Sequence, residues 1–169
     1  MPKPNHSQLL ADYNRWMNCK LYAVCAEIPD EKRKADLGAF FKSIHGTLNH
    51  ILWADRVWLG RFTGQSLTTA HLGQELFADF AELRAERERA DTFILDWTQN
   101  LGADWLAQPF QFKSGIDGKT RRAPAWVFVA QLFNHQTHHR GQVTTLVKQL
   151  GYDPGTTDIP WMPGAVEYV

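Results

Sequence analysis

The stretch AWVFVAQLFNHQTHHRGQVTTLVKQL, residues 125–150, decides how the rest of the chain is read. Its apolar residues recur at helical spacing, so it forms one long helix with His135, His138 and His139 in its middle. On a wheel of about 100° per residue with His135 at 0°, Phe128, Leu132, Val143, Leu146 and Leu150 fall between about 20° and 80°. His139 then falls at about 40°, inside that arc, and His138 at about −60°, outside it. The inward pair is therefore His135 and His139, at the i,i+4 spacing that lets two imidazoles share a metal. Gln142, near −20°, borders the pair, whereas Arg140, at about 140°, points away.

Two helical ligands make half a site, because catalytic zinc-type centres use three protein ligands and an open position. The third comes from a second helix, read from about Asp36 to Phe62, whose apolar face holds Leu37, Phe40, Ile44, Thr47, Ile51, Ala54, Trp58 and Phe62. His50 lies roughly 90° from the centre of that face and can look into a bundle interior. His45 lies on the opposite side and is expected in solvent. HQTHH carries no glutamate between its outer histidines, so the general base of the HEXXH proteases is missing.

The remaining segments supply the scaffold. Residues 7–28 form a first helix, with Ser7 as N-cap and Pro29 as its stop. In it Asn14 and Trp16 could border a pocket, but a solvated Asn14 and ordinary packing of Trp16 are the readings preferred. PDEKRK is a charged break, and residues 63–72 are a polar turn in which His71 has a surface or capping role. A third helix spans 73–101, and its run ELRAERERAD mixes charge signs in the manner of a solvated face. Residues 110–124, with Asp117-Gly118 as turn signal, form a two-stranded excursion or an ordered loop. Pro124 starts the fourth helix, Gly151 ends it, and the proline-containing tail runs over the bundle anchored by Trp161 and Met162. The fold expected is all-α: a four-helix up-down bundle with a small hairpin or ordered loop, and a crossover, between the third and fourth helices. Residues 1–169 make one domain.

The totals narrow the function classes. Lys plus Arg equals Asp plus Glu, 18 against 18, which speaks against a nucleic-acid binder. No apolar run suits a signal peptide or a membrane span, so a cytoplasmic protein is expected. Cys19 and Cys25, six residues apart on one helix, lie on opposite sides and are poorly placed for a disulfide. Both thiols are read as buried and inert, in keeping with a reducing compartment.

SIHGTLNHILWADRVWLGRF, residues 43–62, and NHQTHHRGQVTTLVKQLGYDP, residues 134–154, resemble the DinB (damage-inducible) family of metalloenzymes. YNRWMN at 13–18 is similar to that family's first helix, and TTDIPWM at 156–162 to its usual close. The resemblance covers nearly the whole chain. It implies a four-helix bundle, commonly a homodimer, with three histidines from two helices binding a divalent metal such as nickel or zinc. Those ligands fall on His50, His135 and His139, in agreement with the wheel. Relatives include metal-dependent transferases that use low-molecular-weight thiols, thiol-dependent isomerases and proteins described as hydrolases.

Two readings follow. In the first, the protein is a metal-dependent enzyme, of thiol transferase or hydrolase type, that activates a low-molecular-weight thiol or water; Gln142 and His138 stand beside the ligands. In the second, it is a non-catalytic metal-binding stress-response bundle. The substrate is a small molecule of unread identity, with neither nucleic acid nor membrane as partner. On immobilised duplex DNA at low salt the protein should pass unretained; salt-sensitive retention would contradict the charge argument.

Overall fold

A computed structural model describes residues 6–167. The first five residues and the last two of the tail lie outside the described residues. Four long helices make the frame: α1 (His6–Glu27), α3 (Ile44–Thr63), α4 (Phe80–Gln99) and α6 (Ala125–Gln149). Two short helices, α2 (Asp30–Lys34) and α5 (Ala103–Ala107), and a hairpin of β1 (Pro109–Lys113) and β2 (Thr120–Pro124) fill the links. The hairpin lies between the third and fourth long helices, where the sequence placed it, paired antiparallel from Pro109–Pro124 to Lys113–Thr120. Among the described residues no helix is long and apolar enough to cross a membrane.

The four helices form a square in which α1 packs on α4 and α6, and α3 packs on the same two. One end of the core joins Leu21, Tyr22 and Cys25 of α1 to Ile44 and Leu48 of α3, Phe80 and Leu83 of α4, and Val143 and Val147 of α6. The other joins Ala11, Leu59, Ile94 and Leu95 to Val129, Leu132 and Phe133. These pairings make α3 and α4 run in the same direction. The long return of the chain therefore falls at residues 64–79, not at the hairpin. This segment doubles back along α3, where Trp53 Nε1 donates to the Ala70 carbonyl at 2.8 Å. Further along, Asn49 Oδ1 accepts from the backbone N–H groups of Leu76 and Phe77 at 2.9 and 3.0 Å.

That return explains two departures from the sequence reading. His45, expected in solvent, is buried, because the returning segment covers that face of α3; its Nε2 donates to the Phe77 carbonyl at 2.8 Å. The third helix begins at Phe80 and not at residue 73, where Asp79 caps it by accepting from the Glu82 N–H at 2.9 Å. Likewise the second helix begins at Ile44 and not at Asp36, with Ser43 accepting from the Gly46 N–H. Residues 35–43 are irregular, and Phe40, assigned to the apolar face, is 81% exposed. PDEKRK is more than a break: Arg33 of α2 is buried and donates to the carbonyls of Cys25 and Ile28, satisfying the end of α1.

The charged run in α4 is only partly a solvated face. Phe80, Leu83, Arg87, Asp91, Ile94 and Thr98 form one buried stripe, so Arg87 and Asp91 occupy core positions. Arg87 pairs with Asp55 of α3 and, at 2.9 Å, with Asp91. Asp91 accepts from Asn14 and Asn18 of α1 at 2.9 Å each, and Arg140 of α6 donates to Asn14. Asn14 is thus buried, not solvated, and a polar centre touches all four helices. Of the two cysteines, both expected to be buried, only Cys25 is; Cys19 lies on the opposite side of α1 and is exposed. In the tail, Met162 is half-buried while Trp161, expected as an anchor, is 59% exposed; Tyr13 holds the tail by donating to the Thr157 carbonyl at 2.6 Å.

Removing one partner from such a centre leaves a buried charge unpaired. Arg87→Met should lower unfolding free energy by about 3 kcal/mol or more in urea titrations; a loss under about 1 kcal/mol would show that the pairs are dispensable.

Candidate metal centre

The site is built where α3 and α6 cross. His50 of α3 and His135 and His139 of α6 converge so that one ring nitrogen of each lies within 4.8 Å of the others. His50 Nε2 is 3.1 Å from His135 Nε2. That separation is close to the roughly 3.3 Å edge two imidazoles share on a tetrahedral metal with bonds of about 2.0–2.1 Å. His50 and His139 are buried and His135 is half-buried. The expectation that His138 stands outside matches its place, exposed, on the adjoining face of α6.

Two neighbours orient the converging rings. His139 Nδ1 donates to Gln142 Oε1 at 2.8 Å, which leaves its Nε2 lone pair to face the group. The Gln142 amide in turn donates to His138 Nε2 at 3.3 Å. Phe41 stacks on His50 with ring centroids 3.7 Å apart and 18° between planes. That contact needs Gly46, since a Cβ there would stand 2.4 Å from the Phe41 carbonyl oxygen. Phe41 was not read from the sequence as part of the site. The SIHG run, with Ser43 as cap and glycine in the first turn, is the local signal that the chain before α3 turns back over it.

The residues fit a metal in their chemistry as well as their spacing. Three imidazoles, with no carboxylate or thiol joining them among the described residues, form a borderline-soft donor set suited to zinc, nickel or copper. The Nδ1 atoms of His50 and His135 are buried without a hydrogen-bond partner, so these rings are not explained by a satisfied hydrogen-bond network of their own. Burial, then the facing imidazoles of His135 and His139, hold His50 down to about 3. Burial, then His139 and His138, hold His135 down to about 4. His139 is lowered by burial, with the Gln142 contact opposing. All three are therefore neutral near pH 7, the form that ligates a metal.

Above the histidines opens a cleft of about 940 Å³. Its walls are largely aromatic, with Phe41, Trp53, Trp58 and Phe112 among them, and Arg61 and Arg121 stand at its far side. Phe110 and Phe112 alternate inward on β1 and seat the hairpin on Trp58 and Phe128. His71, read as a surface residue, is exposed and also lines this cleft.

The depressed histidines make the metal-free fold acid-sensitive. The unfolded chain takes up their protons near about pH 6.5, whereas folding lowers all three, His50 to about 3 and His135 to about 4, so their stabilising contribution is complete above about 6.5 and is lost as pH falls below it. The Tm of metal-free protein should fall from pH 7 to pH 5, and fall less in His50→Gln; parallel slopes would contradict the assignment.

Comparison with known proteins agrees with this geometry. The sequence is 28% identical over 153 residues to Protein DinB of Bacillus subtilis (strain 168), covering 88% of each chain. The fold is similar to the crystal structure of a DinB-like protein from Bacillus cereus, with a TM-score of 0.62, 21% identity, and coverage of 83% of this chain and 90% of that one. At that identity the likeness speaks for the fold alone. The sequence model of the DinB family matches residues 1–166. The chain belongs to the DinB family.

Proposed function

We propose that this protein is a divalent-metal enzyme in which His50, His135 and His139 hold the ion, nickel or zinc, and a low-molecular-weight thiol or water occupies an open position. One observation carries the reading: three neutral imidazoles converge at the floor of a roomy, aromatic cleft. A purely structural metal would have no use for the cleft, since structural sites close around four protein ligands. This favours an enzyme over a non-catalytic stress-response bundle.

When bound, the metal lowers the pKa of a coordinated thiol or water and so supplies a nucleophile near neutral pH. The chain's own groups prepare that position. Gln142 fixes the tautomer of His139, and Phe41 and Trp53 wall the histidines with apolar surface, which strengthens electrostatic interactions at the site. The protein's cysteines do not compete as nucleophiles. Burial pushes the Cys25 thiol up to about 12, and burial followed by Asp91 and Glu88 raises Cys19, which lies outside the cleft. A homodimer acting on a small molecule, without nucleic acid, belongs to the same proposal and rests on the family and the balanced charge.

Protein purified without an affinity tag should carry a divalent metal near one per chain by elemental analysis. His139→Ala should lose it, and Gln142→Ala should bind it about tenfold more weakly. Unchanged metal content in His139→Ala would sink the reading.

A further inference from the structure

The cleft has two chemically distinct ends. Along α3, His50, Trp53, Ala54, Val57, Trp58 and Arg61 share one face and all line it. One end presents the three imidazoles, the middle is apolar, and Arg61 stands eleven residues along α3 from His50. Arg61 is half-buried, with its guanidinium 4.2 Å from the Phe112 ring centroid and 4.8 Å from that of Trp58. It differs from Arg121 of the same cleft, which is held by Asp117 in a two-pronged pair at 2.9 Å. Arg61 makes no ion pair with a carboxylate among the described residues. Burial alone lowers its pKa, and no acidic neighbour raises it back. A half-buried cation held against the faces of two rings that themselves meet edge-on, facing a cleft and without a carboxylate partner among the described residues, is suited to receive an anion.

We propose that Arg61 binds a carboxylate of the ligand whose other end sits at His50, His135 and His139, so that the substrate or thiol is an extended molecule with a carboxylate tail. This deepens the metal-enzyme reading and rests on it for the identity of the head group. The span follows from the helix. Eleven residues rise about 16 Å; both side chains lean toward the helix N-terminus, the longer arginine further, and each end adds a contact distance, which leaves roughly 10 Å between the two ligand ends. A free amino acid is too short for that span, whereas a peptide-sized thiol or a medium-chain mercapto acid can bridge it.

Two arms test the proposal and keep it separable from the metal reading. In the first, metal-free protein is titrated with octanoate and with octan-1-ol by ligand-observed NMR. Octanoate should bind about tenfold tighter, the size expected of a charge-assisted contact. The advantage should vanish in Arg61→Met, which keeps the stem over Trp58 and Phe112, and persist in part in Arg61→Lys. In the second arm, nickel-loaded protein is titrated with 8-mercaptooctanoate, 8-mercaptooctan-1-ol and 2-mercaptoethanol, following the thiolate-to-metal absorption band. The carboxylate should again give an Arg61-dependent gain, with 2-mercaptoethanol equal in wild type and Arg61→Met. No octanoate advantage in wild type, or an advantage that survives in Arg61→Met, overturns the proposal. An octanoate advantage without any thiolate band overturns the metal reading and leaves the carboxylate receptor standing.

Discussion

Everything in this bundle is referred to the ionic contact of Arg87 with Asp55 and Asp91 at its centre. Burying three charges is costly unless each keeps its partners, and the partners come from different helices. Asp55 belongs to α3, Arg87 and Asp91 to α4, Asn14 and Asn18 to α1, and Arg140 to α6. Arg140 sits in the same centre with its pKa lowered by burial to about 10, against the pull of nearby Tyr13 and Asp55. Sliding any helix by one turn would strand at least one of these groups. Apolar packing can rearrange at smaller cost, whereas a buried charge stranded without its partner is strongly destabilising.

This constraint reaches the histidines directly. On α6, Gln136 and Arg140 are buried in the polar centre, and His135 and His139 precede each of them by one residue, on the neighbouring face. On α3, His50 lies five residues before Asp55, a little over one turn. Holding Asp55 and Arg140 in register therefore holds the imidazoles on the facing sides of α3 and α6. The metal site needs placement to within a fraction of an ångström, and the buried ions below it supply a rigid base for that. The same stripe of α3 continues to Arg61, so one helix carries both ends of the cleft.

The convergence of the three histidines was legible in the sequence because it depends on local helical geometry. His135, His139 and Gln142 lie within eight residues of one helix, and their mutual angles follow from its pitch. His50 needed only the phase of a second stripe. What escaped was set by distant chain. His45 faces away from α3's core stripe, and no periodicity reveals that residues 64–79 fold back over it. Arg87 and Asp91 were masked by composition: their charge suggested solvent, although Phe80, Leu83, Ile94 and Thr98 place them on the buried stripe. The helix starts were misplaced where apolar residues outside the helix continued its phase, as Leu37 and Phe40 do before Ile44. The caps Ser43 and Asp79, the latter with glutamate three residues on, were the signals that could have corrected this.

The proposed metal site draws its three imidazoles from α3 and α6. X-ray absorption at the metal edge of tag-free, nickel-loaded protein reads this most directly, through the scattering shells of the outer imidazole atoms. Three histidine nitrogens are expected, the remaining ligands being light donors from solvent, with one imidazole fewer in His50→Gln. A sulfur shell from the protein's own cysteines in thiol-free buffer, or an imidazole count unchanged in His50→Gln, would contradict it.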